Sequence, residues 1–193
     1  MPESRPAGAV GDTRGAPAAG GSGAPVAGQV RILFLDVDGT LTDGVIGFTR
    51  DSDLRHFWVR DGLALEWARD LGLLPVVISG RDSAAVAARM QDLRLEYYLG
   101  IRDKVSVAEK VLAREGVDWE ACAMVGDDLP DVPMLRRVGW PIVVADASAE
   151  LLPFARSVTR SRAGFGAVRE AVELLLRHNG VWDQVLRRYE VIR

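Results

Sequence analysis

The strongest constraint on the fold is a short apolar run that stops at two carboxylates. Ile32-Leu33-Phe34-Leu35 is followed at once by Asp36-Val37-Asp38-Gly39-Thr40. A run of this length and composition is typical of a buried strand, which places both aspartates at the strand's end. Gly39 permits a sharp turn after them, so that both carboxylates face one crevice.

Two acids at this spacing repel each other unless a cation or a shared proton compensates their charge. The pair therefore indicates a magnesium-dependent site. An ordinary strand-end turn, in which Asp and Gly are common, is the alternative interpretation of this segment.

Apolar runs alternate with amphipathic segments along the rest of the chain. Strands are predicted at about 30–36, 75–78, 97–99, 121–125 and 141–145, and helices at about 61–72, 83–93, 103–116 and 166–178. This alternation predicts an α/β fold, with a parallel sheet covered by helices on both faces. Two β-prone runs flank Arg50-Asp51-Ser52-Asp53 and predict a hairpin over 41–58 that projects beside the site.

Composition divides the chain into three parts. Residues 1–28 are mostly Gly, Ala, Pro and Ser, which predicts a disordered tail because little apolar surface is available for burial. Residues 29–180 are expected to form one domain. Residues 181–193 form a short amphipathic segment, which packs either on its own subunit or on a neighbouring one.

The charge pattern and the single cysteine exclude several classes of protein. The net charge is −3, and the basic residues are interspersed with acids, so we expect no nucleic-acid surface. No apolar stretch approaches the length of a membrane span, and no signal peptide is visible. Cys122 lies within an apolar run, which predicts an inert thiol in a reducing cytoplasm. We therefore expect a small-molecule substrate in preference to a nucleic acid.

Polar residues follow several of the predicted strands, where the carboxyl ends of parallel strands meet. They are Asp36, Asp38, Ser79, Lys104, Asp127 and Asp131. Phosphoryl transfer needs such a set, namely a nucleophile, an acid/base, a divalent cation and groups that hold the phosphate oxygens. Taken singly, each has another explanation: Ser79 as a helix-entry residue, Lys104 as a solvated side chain, and Asp128 or Asp131 as helix caps.

With these motifs in this order, the chain resembles the haloacid dehalogenase superfamily of phosphohydrolases. The resemblance implies that Asp36 attacks phosphorus to form an aspartyl-phosphate, and that Asp38 protonates the leaving alcohol and then activates water. It implies a Mg²⁺ ion held by the Asp36 and Asp127 carboxylates and the Asp38 backbone carbonyl. Ser79 and Lys104 would bind phosphoryl oxygens, and Asp128 or Asp131 would support the metal ligands from behind.

A narrower resemblance covers about residues 30–180 and concerns the 3-deoxy-D-manno-octulosonate 8-phosphate phosphatase family. It is carried by Asp36-Val37-Asp38-Gly39, Thr42-Asp43-Gly44, Val59-Arg60-Asp61-Gly62, Ile78-Ser79-Gly80-Arg81, Gly100-Ile101-Arg102-Asp103-Lys104, Val125-Gly126-Asp127-Asp128-Leu129 and Gly164-Phe165-Gly166-Ala167-Val168-Arg169-Glu170.

That family resemblance implies a capless, Rossmann-like three-layer α/β/α domain whose hairpin builds a homotetramer. The apolar hairpin residues would then lie in contacts between subunits: Val45, Ile46, Phe48, Phe57 and Trp58. A sugar phosphate is the implied substrate. Its binding residues would be Arg60, Gly62, Arg81 and Lys104, since a guanidinium can bind a carboxylate bidentately.

Two departures from the family pattern bear on the substrate. Trp58 stands where an Asn is usual, and Ala163 replaces the first Gly of a Gly-Gly-X-Gly loop. Another keto-sugar acid phosphate or small phosphate monoester is therefore an alternative substrate, and a non-catalytic oligomerisation or regulatory module is an alternative of a different class. A mutase is disfavoured because no cap insertion is visible to exclude water.

Overall fold

The computed structural model describes residues 28–50 and 53–193. Nearly all of the tail predicted as disordered lies outside this part of the chain. Asp51 and Ser52, at the predicted hairpin turn, also lie outside it.

The described strands are β1 (Ile32–Leu35), β2 (Gly47–Phe48), β3 (Asp53–Leu54), β4 (Leu74–Ile78), β5 (Glu96–Tyr98), β6 (Cys122–Gly126), β7 (Trp140–Val143) and β8 (Ser157–Val158). The α-helices are α1 (Val59–Asp70), α2 (Ala84–Asp92), α3 (Lys104–Glu115), α4 (Val132–Leu135), α5 (Ala167–His178) and α6 (Trp182–Arg188). Short 3₁₀ turns occupy Trp119–Ala121, Leu129–Asp131 and Ala149–Phe154.

Six strands form one sheet in the order β5-β4-β1-β6-β7-β8. Every pairing in this sheet, over the described residues, is parallel, which confirms the predicted parallel sheet. The chain leaves β1 towards β4 and β5 on one side, and later continues through β6 to β8 on the other. The strand order therefore reverses between β1 and β6, and the carboxyl ends of these two strands are where a sheet of this kind forms its ligand-binding crevice.

Helices cover both faces of the sheet. Leu33 and Leu35 of β1 point to one face, where they join a core formed with α1, α2, α5 and α6. Ile32 and Phe34 point to the other face and pack with α3 and α4. Alternation along a single strand therefore supplies two cores, and the three-layer α/β/α prediction is confirmed.

Local capping chemistry sets the ends of the helices near the crevice. Ser83 accepts a hydrogen bond from the Val86 amide (3.2 Å) and caps α2, and Asp103 accepts one from the Ser106 amide (3.1 Å) and caps α3. Lys104 therefore opens α3 at the edge of the crevice. Helix α1 begins at Val59, two residues before the predicted start.

Strands β2 and β3 pair antiparallel and form the predicted hairpin, although each is only two residues long. Of its apolar residues, Val45, Phe48 and Trp58 are exposed, while Ile46 and Phe57 are half-buried. An apolar projection of this kind is typical of a contact surface.

The C-terminal helix α6 packs on its own subunit. Trp182 and Val185 are buried in the core that includes α1 and α5. Trp67 Nε1 donates to the Tyr189 hydroxyl (3.1 Å), and Arg188 pairs with Asp70 (3.0 Å). Helix α6 therefore packs against α1 and α5 of the same chain.

None of the helices described here is both long enough and apolar enough to cross a bilayer.

Candidate active site

Three carboxylates meet where β1 and β6 end. Asp36, Asp127 and Asp131 each place a carboxylate oxygen within 4.8 Å of the other two. Their approach requires a glycine at position 39, because a Cβ atom there would overlap the Asp127 carboxylate, and Gly39 has a φ of +91°. The glycine predicted to turn the chain thus also leaves room for a carboxylate from a neighbouring strand end.

Lys104 binds two of these acids. Its Nζ atom lies 2.5 Å from Asp36 Oδ1 and 2.7 Å from Asp131 Oδ1, and the residue is only 6% exposed. Burial alone would lower the pKa of Lys104, but the Asp36 and Asp131 carboxylates outweigh that effect and raise it. The ammonium group therefore stays charged beside Asp36.

The remaining electrostatics favour a cation at the cluster. Burial raises the pKa of Asp36 to about 6, against the opposing effect of Lys104. Burial, followed by repulsion from Asp36 and Asp131, raises the pKa of Asp127 to about 7. Three acids face one ammonium group, and carboxylate oxygens are the ligands that Mg²⁺ prefers, so the residues present fit this ion.

Asp38 lies in a different environment from Asp36. Its Oδ1 accepts from Arg55 Nε (2.6 Å), and its Oδ2 lies 3.4 Å from Arg55 Nη2 and 3.3 Å from Arg81 Nε. Two acids two residues apart therefore have separate partners, with a lysine beside one and guanidinium groups beside the other.

Ser79 and Asp128 have local hydrogen bonds. Ser79 follows β4, is 2% exposed, and its Oγ accepts from the Arg81 amide (3.2 Å). Asp128 is exposed and accepts from the Leu129 amide (2.8 Å), which caps the short turn that follows. Asp131, by contrast, is buried and accepts from the Asp127 amide (3.0 Å) with its second oxygen.

Arg60 and Gly62 lie in the first turn of α1. Arg60 lines a pocket of about 290 Å³ together with Trp58, Phe165 and residues of α5. The ring centroids of Trp58 and Phe165 are 5.7 Å apart in that pocket. Gly62 packs against α2, where a Cβ atom would overlap the Arg89 guanidinium.

Sequence reasoning missed the contributions of Arg55 and Thr40. Arg55 reaches Asp38 from the end of the hairpin, and the buried Thr40 hydroxyl donates to Asp127 Oδ1 (2.9 Å). One signal for Arg55 was available, since period-two alternation places it on the same face as the half-buried Phe57. For Thr40, no local pattern indicates that its acceptor comes from β6.

Asp61 was also missed as a structural residue of the site. It is 1% exposed, and its Oδ1 accepts from the Arg169 amide (2.7 Å) in the first turn of α5. The loop before α5 in turn touches the turn that follows β1. Gly164 donates to the Thr40 carbonyl (3.3 Å), and a Cβ atom at Gly164 would overlap the Asp43 amide nitrogen. Asp61 thus helps to place a loop that supports the turn after β1, which carries Asp36 and Asp38.

Comparisons with known proteins agree with this geometry. Residues 101–172 match the family of haloacid dehalogenase-like hydrolases. The chain is 38% identical over 158 residues to the 3-deoxy-D-manno-octulosonate 8-phosphate phosphatase of Escherichia coli K12, which covers 81% of this chain and 84% of the relative.

Two solved structures are similar over the same region. One is the 3-deoxy-D-manno-octulosonate 8-phosphate phosphatase of Moraxella catarrhalis in complex with magnesium, phosphate and KDO. It has a TM-score of 0.80 and 31% identity, and covers 83% of this chain and 93% of that one. The other is the cobalt-bound phosphatase of Haemophilus influenzae, with a TM-score of 0.77 and 31% identity over 80% of this chain and 91% of that one.

Proposed function

The chain belongs to the 3-deoxy-D-manno-octulosonate 8-phosphate phosphatase family of haloacid dehalogenase-like hydrolases, and we propose that it hydrolyses this sugar phosphate to the free sugar acid and phosphate. Residues 29–180 are the proposed catalytic domain. The observation that carries the proposal is the buried Asp36 carboxylate, held 2.5 Å from Lys104 at the point where the strand order reverses.

Asp36 is the proposed nucleophile. Its carboxylate oxygen forms a bond to phosphorus while the bond from phosphorus to the sugar oxygen breaks, which leaves an aspartyl-phosphate and an alcohol. Asp38 gives its proton to that sugar oxygen. In the second half, Asp38 takes a proton from water as the water attacks phosphorus, and Asp36 is released with free phosphate.

Lys104 and Ser79 would hold phosphoryl oxygens during both halves. The Lys104 ammonium group already touches the nucleophile, so its positive charge lies where negative charge accumulates in the transition state. Ser79 ends the strand next to β1 and is buried there, which places its hydroxyl at the same edge of the sheet.

The carboxylates of Asp36 and Asp127 and the Asp38 carbonyl are the proposed ligands of Mg²⁺. When bound, this ion supplies positive charge that offsets the acids and polarises the phosphoryl group. We assign Asp131 a supporting role because its two oxygens are occupied by Lys104 and by the Asp127 amide. The Thr40 hydroxyl orients Asp127 in a similar way.

Arg60, Gly62 and Arg81 remain the proposed contacts to the sugar acid. Arg81 is the best supported of the three, since it is exposed and lies within 3.3 Å of the Asp38 carboxylate. Trp58, in the position where the family usually has an Asn, favours a second candidate, namely another keto-sugar acid phosphate. Specificity constants over a panel of such phosphates separate the two substrates.

A cytoplasmic location is also proposed. A further proposal is a homotetramer built through the hairpin. The homotetramer is supported by the exposed apolar surface of Val45, Phe48 and Leu54, which would otherwise be left in water. Light scattering at micromolar concentration tests the assembly, and a monomer would contradict it.

Asp36→Asn tests the chemistry. The variant should release no phosphate from 3-deoxy-D-manno-octulosonate 8-phosphate with Mg²⁺, while its circular dichroism matches that of the wild type. Asp92→Asn is the matched control, because Asp92 is an exposed partner of Arg89 on α2 and should leave turnover unchanged. Undiminished turnover in Asp36→Asn would refute the mechanism. A wild-type protein that releases no phosphate would instead favour the non-catalytic module.

A further inference from the structure

Arg55 is a buried arginine at the end of an exposed hairpin. It follows β3, and its side chain is 0% exposed, whereas its neighbours Leu54 and His56 are exposed. Long cationic side chains are rarely buried unless they are paired. Its position therefore calls for a partner inside the domain.

The guanidinium contacts three side chains. Nε donates to Asp38 Oδ1 (2.6 Å), and Nη2 lies 3.4 Å from Asp38 Oδ2, so both oxygens of this carboxylate face the same fork. Nη1 donates to Ser83 Oγ (2.8 Å) and to Asp53. Ser83 is itself fixed as the cap of α2. The guanidinium is thus anchored on the hairpin and on α2, with Asp38 as its third contact.

Such a fork fixes the plane of the carboxylate that it binds, because two parallel N–H groups contact its two oxygens. Arg81 touches the same carboxylate, but its side chain is 55% exposed and its single contact is 3.3 Å long. Burial alone would lower the pKa of Arg55, yet hydrogen bonds to Asp38 and Asp53 raise it, so the group stays charged. Arg55 is therefore the more rigid of the two partners of Asp38.

We propose that Arg55 is a positioning residue that aims the Asp38 carboxylate at the leaving sugar oxygen, and so couples the hairpin to proton transfer. This inference rests on the acid/base role of Asp38 in the proposed function. Because its side chain is fully buried, Arg55 does not touch the sugar, and it acts only through Asp38.

The test separates proton donation from other losses by varying the leaving group. Substituted phenyl phosphates present the same phosphoryl group with alcohols of different basicity, and a good leaving group needs little help from an acid. The Arg55→Met variant keeps most of the side-chain length and removes the fork. Arg55→Lys restores the charge without the planar geometry, and Arg114→Met is the control, since Arg114 pairs with Glu96 at the opposite end of the sheet.

For Arg55→Met we expect kcat/KM for unsubstituted phenyl phosphate to fall about 100-fold, and for p-nitrophenyl phosphate less than about 10-fold. The plot of log kcat/KM against leaving-group pKa becomes steeper. Arg55→Lys recovers part of the loss on the poor leaving group, and Arg114→Met matches the wild type. Should Arg55→Met fail to fold by circular dichroism, Arg55→Lys carries the same comparison.

If kcat/KM of Arg55→Met falls equally for all the phenyl phosphates, or does not fall, the positioning role is overturned while the proposed function stays in place. A wild-type enzyme that releases no phosphate from any ester or from the sugar phosphate would overturn the proposed function, and this inference with it.

Discussion

Replacing Asp61 by Asn should stabilise the folded protein at neutral pH. Asp61 is 1% exposed, and its Oδ1 caps the first turn of α5 through the Arg169 amide. Its Oδ2 has no hydrogen-bond partner within the described residues. Asparagine keeps an acceptor for the amide and removes the buried charge.

Two effects on the Asp61 carboxylate compete. Burial disfavours the ionised form, whereas the hydrogen bond from the Arg169 amide and the positive charge of Arg169 favour it. Burial is the largest of these and raises the pKa of Asp61 from 3.8 to about 6. A pKa difference of one corresponds to about 1.4 kcal/mol, so burying the ionised Asp61 carboxylate lowers the free energy of unfolding by at most about 3 kcal/mol.

The sign of the pH dependence follows from that displacement. Between the ordinary pKa of 3.8 and the folded value of about 6, the folded protein holds a proton that the unfolded chain has lost. The contribution of Asp61 to the free energy of unfolding therefore falls as pH rises through this interval. Above it, the full cost of burying the ionised carboxylate is present. Below the unfolded pKa both states are protonated, and the cost vanishes.

Urea unfolding in EDTA, from about pH 4 to pH 8, measures the effect without metal binding. We expect the free energy of unfolding of Asp61→Asn to exceed that of the wild type by about 1–3 kcal/mol near neutral pH. This difference should approach zero at about pH 4. Asp61→Ala removes the cap as well as the charge, so it should lose about 1 kcal/mol relative to Asp61→Asn at every pH.

A difference that does not change with pH would refute the reasoning. So would an Asp61→Asn variant that is less stable than the wild type at neutral pH, because the charge would then stabilise α5 through its dipole by more than burial costs.

Two further predictions concern the metal ligands and the loop before α5. Repulsion within the acid cluster raises the pKa of Asp127 to about 7, so Asp127→Asn should raise the melting temperature of the metal-free protein and abolish the increase that Mg²⁺ gives the wild type. Differential scanning fluorimetry with and without Mg²⁺ measures both, and an unchanged response to Mg²⁺ would contradict the ligand assignment. Gly164→Ala should lower kcat/KM by at least about 10-fold, since its Cβ atom would displace the turn that follows β1. Gly180→Ala is the control, because Gly180 also has a positive φ (+73°) but has nothing within 4 Å of its Cβ position, and equal losses in both variants would assign the effect to backbone strain alone.

Much of the fold follows from local patterns. The apolar run predicted at 30–36 contains β1, and the runs predicted at 75–78 and 121–125 overlap β4 and β6 to within one residue at each end. Gly116 ends α3 in the left-handed conformation expected of a terminating glycine. These features depend on burial periodicity and on the backbone freedom of single residues, which neighbouring residues largely decide. The alternation of strands and helices then leaves few topologies open, and all of them place strand ends at one edge.

The order of the polar motifs likewise determined much of the candidate site. Asp36, Asp127, Asp131 and Lys104 each follow a strand or open a helix, and the structure brings these four side chains together. A sheet whose strands are parallel collects such positions at one edge, so their meeting required no knowledge of side-chain geometry. The assignment of a distinct task to each acid came from family resemblance.

Only the tertiary structure decided which partners hold those residues in place. Arg55 lies 17 residues from Asp38 in the chain, Thr40 lies 87 residues from Asp127, and Asp61 lies 108 residues from Arg169. Each of these contacts depends on how one element docks on another, and periodicity can indicate that a side chain faces inward but does not identify the partner that it meets. The paired aspartates after β1 are therefore visible in the sequence as a candidate site, whereas the different partners that surround Asp36 and Asp38 are decided by packing.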